Sequence, residues 1–187
     1  MEESLRKLLD HREKQYIADS KRIPSAVLVP IYFWEEDYHI IFIRRTKTVK
    51  AHKGQISFPG GICEKEDTST MDTALRESHE EIGLLPEHVE ILGELDDEIT
   101  TTSNYIVSPF VGIIQWPYHF TENKDEVDGI LDVPLPVLLD RDCLSPDTET
   151  LNGERVDSYA YNYEGNIIWG ATARILHKFL DIIKQVN

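Results

Sequence analysis

At 187 residues the chain has the length of one ordinary domain, and its 41% hydrophobic and 28% charged residues exclude the collagen-like, low-complexity and disordered classes. With 34 acidic against 19 basic side chains the formal charge is −15, and a field of that sign repels nucleic acid and anionic lipid, so neither is an expected partner. Cys63 and Cys143 lack the spacing of a disulfide framework or a zinc knuckle, which fits a reducing, cytoplasmic setting.

Residues 2 to 18 place Leu5, Leu8, Leu9, Tyr16 and Ile17 among charges, the pattern of an amphipathic helix packed on the outside of a body that fills the rest of the 1–187 span. The segment has no secretory apolar stretch, and no window of the chain approaches the roughly eighteen apolar residues of a membrane span. Ala26 to Trp34 and Tyr38 to Arg45 read as two strands divided by Glu35-Glu36-Asp37, a short polar turn.

Arg44, Arg45, Lys47, Lys50 and Lys53 put five positive charges into ten positions, and no acid occurs between Tyr38 and Cys63. In a chain of the opposite sign this reversal can focus an anionic ligand on one spot; a strand end with solvated lysines is the plainer alternative. The patch runs into Phe58-Pro59-Gly60-Gly61, where adjacent glycines allow positive φ and close approach of the backbone to a ligand or metal, or simply make a turn.

Asp67 to Ile82 forms a helical pattern with cap-forming residues before it and Gly83 after it. Met71, Ala74, Leu75, Ser78 and Ile82 fall on one stripe, the expected buried face. Glu77, Glu80 and Glu81 cluster on another arc, where like charges three and four apart cost about 0.2–0.5 kcal/mol per pair. Such an arc is either a solvated acidic face or a site for a hard divalent cation such as Mg²⁺. Basic residues, a glycine turn and then paired carboxylates would bring phosphate-binding and cation-binding groups together, the equipment of metal-dependent diphosphate cleavage.

Further strand-like runs are Val89 to Leu95, Tyr105 to Ile114, Asp157 to Tyr163 and Ile167 to Trp169. The segment Glu122 to Asp128 reads as an acidic loop, Pro134 to Leu139 and Ala171 to Ile183 as helices, and Trp169 as a packing anchor opening the last of these. The whole is an α/β chain, a sheet flanked by helices.

Gly61 followed by Arg76-Glu77-Ser78-His79-Glu80-Glu81-Ile82-Gly83-Leu84 resembles the Nudix box, Gly-x5-Glu-x7-Arg-Glu-U-x-Glu-Glu-x-Gly-U, where U is bulky and aliphatic. The chain departs from it in one extra residue before Arg76, in Asp67 at the place of the first Glu, and in Ser78 at an aliphatic place. The extra residue and the Asp, with Arg45-Thr46, Lys50, Gly54 and Phe58-Pro59-Gly60-Gly61 upstream, are similar to the coenzyme A diphosphatase branch; Thr46 and Lys50 depart from that branch's pattern.

This resemblance implies a Nudix α/β/α sandwich with a mixed β-sheet, hydrolysing a nucleoside diphosphate linked to another moiety. For coenzyme A or acyl-CoA the products would be 3′,5′-ADP and a phosphopantetheine. ADP-ribose, NADH and dinucleoside polyphosphates are alternative substrates, and a nucleotide sensor without catalysis is an alternative function. It further implies Mg²⁺ or Mn²⁺ held by Glu77 and Glu81, with Glu80 and the Gly61 carbonyl completing the set. Arg76 would orient the glutamates. Glu80 and Glu126 are the two candidates for general base, and Arg44, Arg45, Lys50 and Gly60 those for contact with the substrate. The expected partner is a small-molecule nucleotide, with a homodimer left open.

Overall fold

The computed structural model describes residues 1–46, 54–151 and 154–186. The hairpin of β1 (Ile23–Trp34) and β2 (Asp37–Arg45) closes with Trp34 opposite Asp37. Glu35 and Glu36 both have positive φ, 48° and 74°, the pairing that matches a tight hairpin turn to the twist of its strands. β1 pairs in parallel with β7 (Tyr105–Ile114) and antiparallel with β4 (Gly60–Ile62). β2 also takes β3 (Ile56–Ser57) and β8 (Val127–Pro134), while β5 (Val89–Glu94) and β6 (Glu98–Ile99) lie antiparallel to β7. One parallel pairing among antiparallel ones makes this a mixed sheet, as expected.

Apolar residues cover both sheet faces, so β1 and β2 read as nearly continuous hydrophobic runs. Ala26, Leu28, Tyr32, Ile41 and Ile43 pack with Ala74 and Ile82 of α2 (Thr70–Ile82). Val29, Ile31, Ile40 and Phe42 belong to the opposite core with Leu5 and Leu9 of α1 (Glu2–His11) and Phe179, Leu180 and Ile183 of α4 (Gly170–Ile183). The period of two along each strand thus sorts side chains into two cores, and the helices on each side produce an α/β/α arrangement. A second sheet of β9 (Leu144–Leu151), β10 (Glu154–Tyr163) and β11 (Asn166–Ile168) follows α3 (Leu135–Leu139). Among the described residues no helix is long and apolar enough to cross a membrane.

Several elements differ from the expectation. The first helix stops at His11 rather than residue 18, because acids on β5 and its following loop hold residues 12–17 in an irregular segment. Lys14 pairs with Glu94 at 2.5 Å and Asp97 at 3.2 Å, Arg12 pairs with Asp96, and Ile17 N–H donates to Asp97 Oδ2 at 3.0 Å. The acidic loop ends at Glu126, since Val127 begins β8 along β2. The polar run of β9 becomes a strand only by pairing with β10. Trp169, expected as a packing anchor, stands at the N-cap position of α4 without a side-chain cap bond, is 37% exposed and belongs to neither core cluster.

Candidate active site

α2 begins where Ser69 Oγ accepts from Asp72 N–H at 3.1 Å and ends where Gly83, φ 67°, turns its N–H back to His79 O at 2.9 Å. Both ends follow from capping chemistry. Ala74, Ser78 and Ile82 of the expected stripe are buried, but Met71 is 37% exposed and Leu75 half-buried, and Thr73 and Glu81, outside that stripe, are buried as well. The polar side of α2 faces β1 and β4, whose backbone and neighbouring arginine supply what Glu81 requires to be buried.

Glu81 is 1% exposed. Its Oε1 accepts from Arg45 Nη1 and its Oε2 from the backbone N–H of Gly60, both at 2.9 Å. Burial pushes the carboxyl up to about 7 against the pull of Arg45 and the Gly60 N–H, and the charges of Glu77 and Glu126 push it the same way. Gly60 was expected to approach a ligand; its N–H is instead committed to Glu81, and a Cβ there would stand 2.6 Å from Val27 Cα. Its lack of a side chain serves the close packing of β4 on β1.

Arg76 gathers the other acids. Its Nε and Nη2 donate to the two oxygens of Asp67 at 2.9 and 3.0 Å, its Nη1 donates to Glu77 Oε1 at 2.9 Å and Glu80 Oε2 at 3.2 Å, and Nη2 also reaches Ile62 O at 3.1 Å. Asp67 accepts further from Glu64 N–H and Thr73 Oγ1, and with Arg76 beside it the carboxyl is held well below the usual range. Glu77 is the reverse case: burial pushes it up, Arg76 pulls it down, and Glu80 and Glu126 add to the rise. The Glu77 carboxylate lies directly over Gly61, where a Cβ would stand 2.5 Å from both oxygens.

Asp67→Asn is therefore expected to cost about 2–3 kcal/mol at pH 7, the loss of a buried charged partner of Arg76. The folded carboxyl titrates below its unfolded value of about 4, so its contribution is complete above that pH and is lost as the pH falls through the folded value. Urea unfolding should give a constant gap between variant and wild type from pH 5 to 7, narrowing below pH 4.

Glu126 arrives from the loop between β7 and β8. It is half-buried, and its charge acts on both Glu77 and Glu81. The loop is tied to the C-terminal carbonyls of α2: Thr121 N–H donates to Ile82 O and Asn123 N–H to Glu81 O, both at 2.9 Å. Beside Glu80 the surface hollows into a groove of about 470 Å³ lined by His79, Glu80, Thr121, Glu122 and Asn123, among others. A second hollow of about 450 Å³, at His88, Trp116 and Tyr118, includes none of these acids.

The structure brings Glu77, Glu80, Glu81, Glu126, Arg45, Arg76 and Gly61 to one place. It does not bring Arg44 there: strand alternation turns Arg44 to the opposite face, where Nη2 donates to Asn166 Oδ1 on β11. Lys50 lies outside the described residues. Sequence reasoning did not find the Gly60 N–H, the pairing of Arg45 with Glu81, or the loop residues Asn123 and Thr46. Only Asn123 carried a local signal, an Asn two residues before Asp125 in a polar turn.

A family model, described as the NUDIX domain, matches residues 24–141. A Photorhabdus laumondii protein described as an uncharacterized Nudix hydrolase NudL is 33% identical over 162 residues, covering 87% of this chain and 85% of that protein. A Pectobacterium atrosepticum protein of the same description is 35% identical over 154 residues, 82% of this chain and 79% of that one. Among solved structures, a MutT/nudix family protein from Enterococcus faecalis superposes with a TM-score of 0.61 at 16% identity, over 94% of this chain and 66% of its own.

Proposed function

The chain belongs to the Nudix hydrolase family, enzymes acting on nucleoside diphosphate derivatives, and from that premise we propose that it is a Mg²⁺- or Mn²⁺-dependent diphosphatase of coenzyme A or an acyl derivative. The observation that carries the diphosphatase reading is the convergence of Glu77, Glu80, Glu81 and Glu126 on Arg45 and Arg76 beside the Gly60-Gly61 turn. The choice of coenzyme A is supported by the register from Arg45 to Gly61 and by Asp67 in the box, here the bidentate partner of Arg76.

Among the described residues no three acidic, His or Cys side chains stand as a ready-made metal cage; the arginines hold the carboxylates. The donor set nevertheless suits a hard divalent cation. Its oxygens are carboxylate and carbonyl, and four carboxyl groups, Glu77, Glu80, Glu81 and Glu126, gather about two arginines; burial first and the neighbouring acids second raise Glu77 and Glu81, a cost that a bound cation would relieve. Glu77 and Glu81 would hold the ion, with Glu80 and the Gly61 carbonyl as further donors. When bound, the ion supplies charge neutralisation on the diphosphate and an acidified water.

The chain's own residues supply the rest. Arg76, itself fixed by Asp67, orients Glu77 and Glu80. Glu126 accepts the proton of the attacking water; it is half-buried and acts on both principal acids, whereas Glu80 is 53% exposed and tied to Arg76. Arg45 and Lys50 receive the phosphates, Arg45 from the α2 face of the sheet. Incubation with Mg²⁺ or Mn²⁺ and a panel of coenzyme A, acetyl-CoA, ADP-ribose, NADH and diadenosine polyphosphates, with product identification, tests this. Formation of 3′,5′-ADP at a kcat/KM at least about tenfold above every competitor supports the reading; preference for another member overturns the coenzyme A assignment, and no metal-dependent turnover of any member overturns the diphosphatase itself.

A further inference from the structure

We propose that Asn123 and Thr46 are positioning residues that fix Glu126 against the α2 carboxylates, an inference that rests on the role given to Glu126 above. Two residues take up all four backbone polar groups of Asp125 and Glu126. The Asp125 N–H donates to Asn123 Oδ1 at 3.2 Å and the Glu126 N–H to the Asn123 carbonyl at 3.0 Å. The Asp125 carbonyl accepts from Thr46 Oγ1 at 3.1 Å and the Glu126 carbonyl from Thr46 N–H at 2.8 Å.

Both clamps lead to one side chain. Asn123 N–H donates to the Glu81 carbonyl at 2.9 Å, and Thr46 follows Arg45, whose guanidinium holds the Glu81 carboxylate. Glu126 is thereby tied through short covalent and hydrogen-bonded paths to both ends of the residue whose carboxyl its charge perturbs. Core packing does not require this bracket. None of residues 121–126 is buried, and the buried side chain at the start of β8 is that of Val127, whose N–H shares the Asn123 carbonyl at 2.8 Å. What the bracket does is hold a carboxylate at a set distance from its neighbours, and displacement of a reacting group by about 1 Å costs on the order of a hundredfold in rate.

The test is a set of double-mutant cycles with Asn123→Ala and Thr46→Val, each alone and combined with Glu126→Gln, and with Thr46→Ser as the variant that keeps the hydroxyl. Activity is read with Mn²⁺ and the best substrate of the panel above, and amide hydrogen exchange is read at residues 125–127 in the protein without added metal. Asn123→Ala and Thr46→Val are expected to lower kcat about tenfold with KM changed less than about twofold, and to lower it no further when Glu126 is already Gln. Thr46→Ser should restore wild-type kcat. Exchange at 125–127 should quicken about tenfold or more in the two disruptive variants. Losses that multiply with that of Glu126→Gln, or exchange unchanged by both substitutions, overturn the inference. Wild-type activity in Glu126→Gln also overturns it while leaving the diphosphatase reading intact. If the wild-type protein cleaves no member of the panel, the diphosphatase reading fails and unchanged or quickened exchange decides the clamp alone.

Discussion

Replacing Glu81 with Gln is expected to lower metal-dependent turnover at least about a hundredfold while improving the pH dependence of stability. The carboxyl is 1% exposed and pushed up to about 7. A carboxyl whose folded value lies above its unfolded one, about 4.3, takes up a proton on folding. Its favourable contribution is complete below the unfolded value and is lost as the pH rises through the folded value. The loss amounts to about 3 kcal/mol between pH 4.5 and 8. Glutamine cannot ionise, so chelator-treated Glu81→Gln should gain on wild type by about that amount across the same window, measured as the difference in unfolding free energy by urea titration at each end. An unchanged difference at pH 4.5 and 8 would show that Glu81 ionises as freely folded as unfolded. The double substitution of Glu77 and Glu81 by Gln should leave no metal-dependent turnover with a wild-type circular dichroism spectrum. The group most costly to keep charged is the one that the proposed chemistry requires charged, a conflict expected of functional sites.

The second large effect separates two adjacent glycines. At Gly60 an added Cβ would stand 2.6 Å from Val27 Cα and 2.8 Å from Val27 Cγ1, on a residue with φ 153° whose N–H holds Glu81. The Val27 backbone cannot yield without breaking the pairing of β4 with β1, so Gly60→Ala is expected to cost about 3–4 kcal/mol or more, read as a fall in Tm. At Gly61 the Cβ would meet the oxygens of Glu77 at 2.5 Å. These atoms end a flexible side chain and can swing aside. Gly61→Ala should therefore keep stability within about 1 kcal/mol of wild type while kcat falls about tenfold or more. A Gly61→Ala protein of wild-type kcat would mean that Glu77 works from a different position.

The acidic face of α2 illustrates why the sequence was legible only to a point. Its boundaries were readable because caps are local: Ser69, Asp72 and Gly83 act within one turn of the backbone. Its buried face was legible only in part: Ala74, Ser78 and Ile82 are buried as expected, but apolar periodicity cannot find a buried residue that is not apolar. Here a carboxylate is buried among polar partners that lie 21 and 36 residues away in the chain. The same reason hid the separation of Arg44 from Arg45, adjacent in sequence and on opposite faces once β2 takes its place in the sheet. β8 and β9 were missed because their sequences, Val127-Asp-Gly-Ile-Leu-Asp and Leu144-Ser-Pro-Asp-Thr-Glu, lack an alternating apolar signal and become strands through partners. Residues 12–17 were pulled from a helical pattern by Glu94, Asp96 and Asp97.

By itself, then, the sequence determined the kind of chemistry available: carboxylates one turn apart on a capped helix, a glycine turn before it, and a cationic approach in an acidic chain. It also determined most strands and helices, because periodicity and capping depend on neighbours within a few residues. Only the tertiary structure decided which carboxylate is buried, which arginine meets it, and that Glu126 is bracketed by Asn123 and Thr46. Apart from the local turn at Asn123, those are contacts between segments far apart in the chain, and their energies depend on desolvation and charge proximity that exist only after the sheet has brought the segments together.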